Sequence, residues 1–177
     1  MIQHKVIFLD RDGVINKEVD YLSEINKFVF IDGIFDAMKK FSARGYKFIV
    51  ITNQSGISRG FYSINDFEKL TSWMYEKFKE NGIEILDLFF CPHVPEDFCE
   101  CRKPKPGLFF QAINKYNIDL SKSWMIGDSE RDIIAAKSAG IDNTVLVRTG
   151  HPIDERNSSA LFILDSINEI NKLGLIC

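Results

Sequence analysis

The sequence predicts an α/β protein built as a mostly parallel sheet between two layers of helices. Three observations carry this. Strand-like and helix-like patterns alternate along the chain, which implies right-handed βαβ crossovers. The strand-like runs are short, apolar and rich in β-branched and aromatic residues, as in strands buried on both faces. Polar clusters recur just past those runs, where open parallel sheets bind ligands.

The first strand is Val6-Ile7-Phe8-Leu9, which runs straight into Asp10-Arg11-Asp12-Gly13. Helical spacing follows at 33–44, then a strand at 46–51 that leads into Thr52-Asn53-Gln54-Ser55. In the helix predicted over 64–81, Phe67, Leu70, Met74 and Phe78 recur three and four residues apart, a core-facing stripe. A strand at 83–90 leads into Cys91-Pro92-His93, and a helix at 106–116 takes Pro106 in its first turn. A strand at 123–126 meets Gly127-Asp128-Ser129, which opens a helix at 130–139. Strands at Thr144–Val147 and 161–164 and a helix at 166–173 complete the pattern. Gly45, Gly82 and Gly140 read as helix stops.

At 177 residues, 45% hydrophobic and 27% charged, the chain reads as a single domain, 1–177, with a sizeable core. A net charge of -3 argues against a general nucleic-acid or membrane-surface binder. No apolar run approaches the roughly 20 residues needed to span a bilayer. The N-terminal apolar run is too short for a signal peptide, so a cytoplasmic location is expected. Of four cysteines, three fall at 91, 99 and 101, too clustered for a disulfide framework, and Cys177 is expected to be a free terminal thiol.

Asp10 and Asp12 form a turn or a site, since adjacent carboxylates repel unless a cation or a proton-transfer role needs them. With Asp128 they make a donor set suited to Mg²⁺. Asp132 is either a further acidic support or a favourable charge in a first helical turn. Thr52 brings a hydroxyl to the same sheet edge, or caps a turn. Lys103 lies in Cys101-Arg102-Lys103-Pro104-Lys105-Pro106-Gly107, where two prolines stiffen a basic run beside an acidic edge. That favours anion binding over a solvated face. Cys91, His93, Cys99 and Cys101 form a Cys₃His structural zinc set, which closes the tetrahedron with no position for water. Free thiols in a turn would not explain the paired spacing. Asp97 and Glu100 are expected to face solvent. Zinc would pin the loop 91–101 and so place Arg102 and Lys103.

Asp10-x-Asp12, Thr52, Lys103 and Gly127-Asp128-x-x-x-Asp132 resemble the four ordered motifs of the haloacid dehalogenase superfamily of phosphatases. The resemblance implies a three-layer Rossmann-like fold and an aspartyl-phosphate formed on Asp10. Asp12 becomes the acid and then the base, and Thr52 and Lys103 stabilise the transferring group. It places Mg²⁺ on Asp10, Asp128 and the Asp12 carbonyl. The gaps between motifs hold a flap near 15–30 and the zinc loop, but no cap domain. The zinc loop resembles two groups, heptose-bisphosphate phosphatases and histidinol-phosphate phosphatases. Residues 52–62 and 102–107 resemble the first; the short His93-to-Cys99 spacing resembles the second. The resemblance implies substrate contacts from Arg11, Glu18, Val19, Asp20, Tyr21, Asn53, Gln54, Ser55, Arg59 and Arg102. Arg102 suits a second phosphate. Ser129 stands where the heptose group often has lysine. The expected partner is a small sugar bisphosphate, with neither nucleic acid nor membrane, and the protein is expected to be a monomer. The alternatives are a histidinol-phosphate phosphatase and a catalytically silent, zinc-stabilised binding module.

Overall fold

The computed structural model describes residues 3–174; the thiol expected at Cys177 lies outside them. The strands are β1 (Val6–Leu9), β2 (Lys47–Asn53), β3 (Ile85–Cys91), β4 (Trp124–Gly127), β5 (Thr144–Val147) and β6 (Phe162–Leu164). The helices are α1 (Ile34–Ala43), α2 (Ile64–Glu80), α3 (Gly107–Lys115) and α4 (Glu130–Ser138). All six strands pair in parallel in the order β3-β2-β1-β4-β5-β6. The order reverses at β1, between β2 and β4, which is where such sheets open a ligand crevice.

Successive β1 side chains enter opposite layers. Ile7 and Leu9 pack into a core with Met38 and Phe41 of α1 and Leu70, Met74 and Phe78 of α2. Val6 and Phe8 pack into a second core with Leu108, Phe109 and Ala112 of α3 and Ala135 and Ala136 of α4. This is the three-layer arrangement the patterning predicts. α2 starts at a reciprocal cap: Ser63 Oγ accepts from Asp66 N (3.1 Å), and Ser63 N donates to Asp66 Oδ2 (3.0 Å). Gly45, Gly82 and Gly140 take positive φ just past α1, α2 and α4, as expected of helix stops.

Three expectations are corrected. β2 continues beyond Ile51, because Thr52 and Asn53 pair with Phe90 and Cys91 of β3. Pro106 sits at the cap of α3 rather than in its first turn. The segment predicted as an α-helix over 166–173 is a 3₁₀ helix, Ile167–Leu173. Its buried Ile167 and Ile170 are three apart, a spacing that both helix types satisfy. Among the described residues, no helix is long and apolar enough to cross a membrane.

Candidate active site and metal centre

The carboxyl ends of β1, β2 and β4 converge on Asp10 and Lys103. Asp10 N donates to Ile126 O (3.1 Å), which extends the β1–β4 ladder by one residue. Asp10 Oδ1 accepts from Arg11 N (2.8 Å) and pairs with Lys103 Nζ (3.0 Å). Among the described residues, no protein group donates to Oδ2. Lys103 Nζ also meets Asp132 Oδ1 (2.6 Å) and Ile51 O (2.7 Å), so its three protons are all engaged. Asn53 brackets the Lys103 backbone: Nδ2 donates to Lys103 O and Oδ1 accepts from Lys103 N, both at 3.1 Å. Asp132 Oδ2 accepts from the backbone N–H of Asp128 (3.2 Å) and Ser129 (3.1 Å). Asp132 therefore ties the lysine to the start of α4.

The electrostatics follow from burial and crowding. Burial pushes Asp10 well above the usual carboxylate range; Lys103 opposes this, while Asp132, Asp128 and Asp12 add to it. Asp132 is raised as well, by burial first. Lys103 is pushed up to about 12: burial alone would lower it, but Asp10 and Asp132 outweigh that.

The Asp12 carboxylate is held on several sides. Arg11 Nη2 lies 2.8 Å from Oδ1, Asn16 Nδ2 donates to Oδ1 (2.9 Å), and Gln54 Nε2 donates to Oδ2 (3.0 Å). Gln54 Nε2 also reaches the buried Thr52 Oγ1 (2.9 Å), while Gln54 Oε1 accepts from Tyr62 O–H (2.5 Å). Arg11 is 1% exposed, and its Nη2 donates to Leu22 O (3.2 Å) beneath the flap. Its side chain orients Asp12 and is not part of the pocket wall. Arg59 is exposed and also lies away from the pocket.

Asp128 is fully buried. Its Oδ2 accepts from His151 N (2.9 Å) and lies 2.7 Å from His151 Nδ1, while its buried Oδ1 has no partner among the described residues. Gly13, at φ 81°, must lack a side chain, since a Cβ there or at Gly150 would strike the Asp128 carboxylate. Oxygens of Asp10, Asp128 and Asp132 lie within 4.8 Å of one another. An orphaned buried carboxylate oxygen among crowded acids fits a hard divalent cation.

The zinc-type cluster also assembles. Cys91 Sγ lies 3.2 Å from Cys101 Sγ and 3.6 Å from Cys99 Sγ, and His93 Nδ1 lies 3.3 Å from Cys101 Sγ. These separations are far too long for disulfides, and the four ligand atoms fit one tetrahedral ion. Cys91 pairs in register with Asn53, so the cluster adjoins the residue that brackets Lys103. Arg102 Nη1 donates to His93 O (3.1 Å), which fixes the arginine to the loop. Asp97 and Glu100 are exposed, as expected; Glu100 pairs with Lys105 at 2.7 Å.

The pocket walls bring together Asp10, Asp12, Glu18, Val19, Asp20, Tyr21, Asn53, Gln54, Ser55, Arg102 and Lys103. Burial pushes half-buried Glu18 up to about 7, aided by Asp12 and Asp128 against His151. Tyr62, the last residue of the segment 52–62, also lines the pocket, as do Arg131 and His151, which the sequence reading does not name. His151 follows β5 in Arg148-Thr149-Gly150-His151, a polar cluster of the kind that marks the other strand ends. Ser129, in place of the lysine that the resemblance expects, accepts from Arg131 Nε (3.2 Å).

Residues 100–170 match the HAD-hydrolase-like family model. The D-glycero-beta-D-manno-heptose-1,7-bisphosphate 7-phosphatase of Pasteurella multocida is 45% identical over 176 residues, 96% of each chain. The chain belongs to the heptose-1,7-bisphosphate 7-phosphatase family. The D-glycero-alpha-D-manno-heptose-1,7-bisphosphate 7-phosphatase of Photorhabdus laumondii is 46% identical, again over 96% of each chain. The D,D-heptose 1,7-bisphosphate phosphatase of B. bronchiseptica, solved with magnesium and phosphate, has a TM-score of 0.85 at 29% identity, covering 97% of this chain and 98% of that one. Membership of the heptose-bisphosphate phosphatase family, along nearly the whole chain, outweighs the short His93-to-Cys99 spacing that resembles the histidinol-phosphate group.

Proposed function

We propose that this chain is a Mg²⁺-dependent phosphatase that removes the C7 phosphate of D-glycero-D-manno-heptose 1,7-bisphosphate and leaves the C1 phosphate in place. The observation that carries this reading is Asp10. One carboxylate oxygen is pinned by Lys103 and the Arg11 N–H, and among the described residues the other has no protein donor. Such a carboxylate is oriented yet free to attack.

Asp10 Oδ2 attacks phosphorus, and the bond from phosphorus to the C7 oxygen breaks. Asp12 gives its proton to the departing alkoxide. Asp12 then takes a proton from water, which attacks the aspartyl-phosphate; the Asp10–phosphorus bond breaks and inorganic phosphate leaves. Arg11, Asn16 and Gln54 hold Asp12 in position for both proton transfers. Lys103 and Thr52 offset charge on the transferring group. Asp10, Asp128 and the Asp12 carbonyl would hold Mg²⁺, which neutralises charge between nucleophile and phosphate when bound. Cys91, His93, Cys99 and Cys101 would hold a structural zinc that fixes Arg102. On this reading, residues 1–177 act as one domain, as a cytoplasmic monomer on a free sugar bisphosphate. The names of the relatives support the substrate, and the wholly parallel single sheet supports the one domain.

The test is a kcat/KM comparison, in Mg²⁺, of α- and β-heptose 1,7-bisphosphate with histidinol phosphate. A heptose bisphosphate should win by a wide margin. A preference for histidinol phosphate would overturn the substrate assignment.

A further inference from the structure

Two guanidinium groups line the pocket. Arg102 and Arg131 both face it, and both also border an adjoining cavity of about 330 Å³ beside the zinc loop. Their charges are uncommitted. Lys103 is consumed by Asp10 and Asp132, Arg11 by Asp12, and Arg148 by Glu155 and Asp165. Among the described residues, no carboxylate pairs with Arg102 or Arg131. Both are nevertheless anchored: Arg102 Nη1 on His93 O (3.1 Å) and Arg131 Nε on Ser129 Oγ (3.2 Å). The second anchor is itself fixed, because Ser129 N donates to Asp132 Oδ2 (3.1 Å), and Asp132 holds Lys103. Arg131 is exposed at the rim of the pocket, and this anchor holds its guanidinium over the opening.

We propose that Arg131 is a specificity-determining residue, which forms with Arg102 a two-guanidinium clamp for the phosphate that stays on the sugar. This rests on the heptose-bisphosphate reading. A phosphate dianion accepts from two planar forks at once, and neither fork must first break an ion pair to reach it. The transferring phosphate is met by Asp10, whose Oδ1 Lys103 holds at 3.0 Å, so the two phosphates draw on different groups. The clamp therefore acts on binding rather than on the chemical step.

The experiment measures KM and kcat of Arg131→Ala and Arg131→Gln with heptose 1,7-bisphosphate and with p-nitrophenyl phosphate, which has no second phosphate. The ratio of the two KM values, bisphosphate over monophosphate, should rise about tenfold or more, the effect of one charge-assisted contact. The kcat for the bisphosphate should stay within about twofold, and Arg131→Lys should restore part of the ratio. A wild type that prefers the bisphosphate, with variants that keep the same KM ratio, would overturn the clamp alone. A wild type with no preference for the bisphosphate would overturn the functional reading and the clamp together.

Discussion

Replacing Lys103 by methionine removes a cation that serves both Asp10 and Asp132. The substitution keeps most of the side-chain volume but takes away three hydrogen bonds, of 2.6, 2.7 and 3.0 Å. Asp132 is 1% exposed, so its carboxylate is left buried without a counter-charge. Breaking a buried ion pair on one side costs about 3–5 kcal/mol. For a chain of this length, that is a fall in melting temperature of roughly 6–20 °C. The sign of the pH dependence follows from the two acids. Their folded pKa values, already raised, rise further when Lys103 is gone. A carboxylate with a raised folded pKa favours the folded state at low pH and loses that advantage as pH climbs from the ordinary carboxylate range toward its folded pKa. The deficit of Lys103→Met should therefore be larger near about pH 8 than near about pH 5. Thermal melts of both proteins at the two pH values measure it. An equal deficit at both, or none at either, would refute the shared-cation argument. Turnover should also fall, because Asp10 Oδ1 loses the cation that orients the nucleophile.

Asp10→Asn removes the nucleophile and should cut turnover by several orders of magnitude. It should melt at or above wild type, since the carboxylate crowding eases; steady-state kinetics and calorimetry check the two halves. Purified protein should carry about one equivalent of zinc by elemental analysis, and Cys101→Ala should lose both the metal and several degrees of melting temperature, because binding energy at a structural site is folding energy. Glu18→Gln should stabilise the fold relative to wild type near about pH 8, with the gain fading toward about pH 4.5. The reason is that Glu18 titrates near 7, so its charge opposes folding only above its unfolded pKa. Denaturant melts across that range test it.

The layers were legible because buried parallel strands leave a strong signature. Val6–Leu9 and Thr144–Val147 are found to the residue. Ends were harder where a polar residue continues a ladder, as Thr52 and Asn53 do beside Phe90 and Cys91. The site was legible where residue type coincides with a strand end, as at Asp10 and Asp128, or with a tight local pattern, as at Lys103 and the zinc-type cluster. It was not legible where side-chain direction decides. Arg11 sits between two site aspartates, yet its guanidinium turns inward to Asp12 and Leu22. Asn53 reads as a substrate contact, but its amide is occupied by the Lys103 backbone. Arg131 and His151 have no motif of their own; each enters the pocket through one neighbour, Ser129 or Asp128.

The central claim is that Asp10 takes the phosphoryl group from C7 while the C1 phosphate stays on the sugar. Following heptose 1,7-bisphosphate by ³¹P NMR during turnover tests this directly. The account predicts that the C7 phosphate signal gives way to inorganic phosphate, that the C1 signal persists on the product, and that neither changes with Asp10→Asn. Release of the C1 phosphate, or turnover by Asp10→Asn at the wild-type rate, would contradict it.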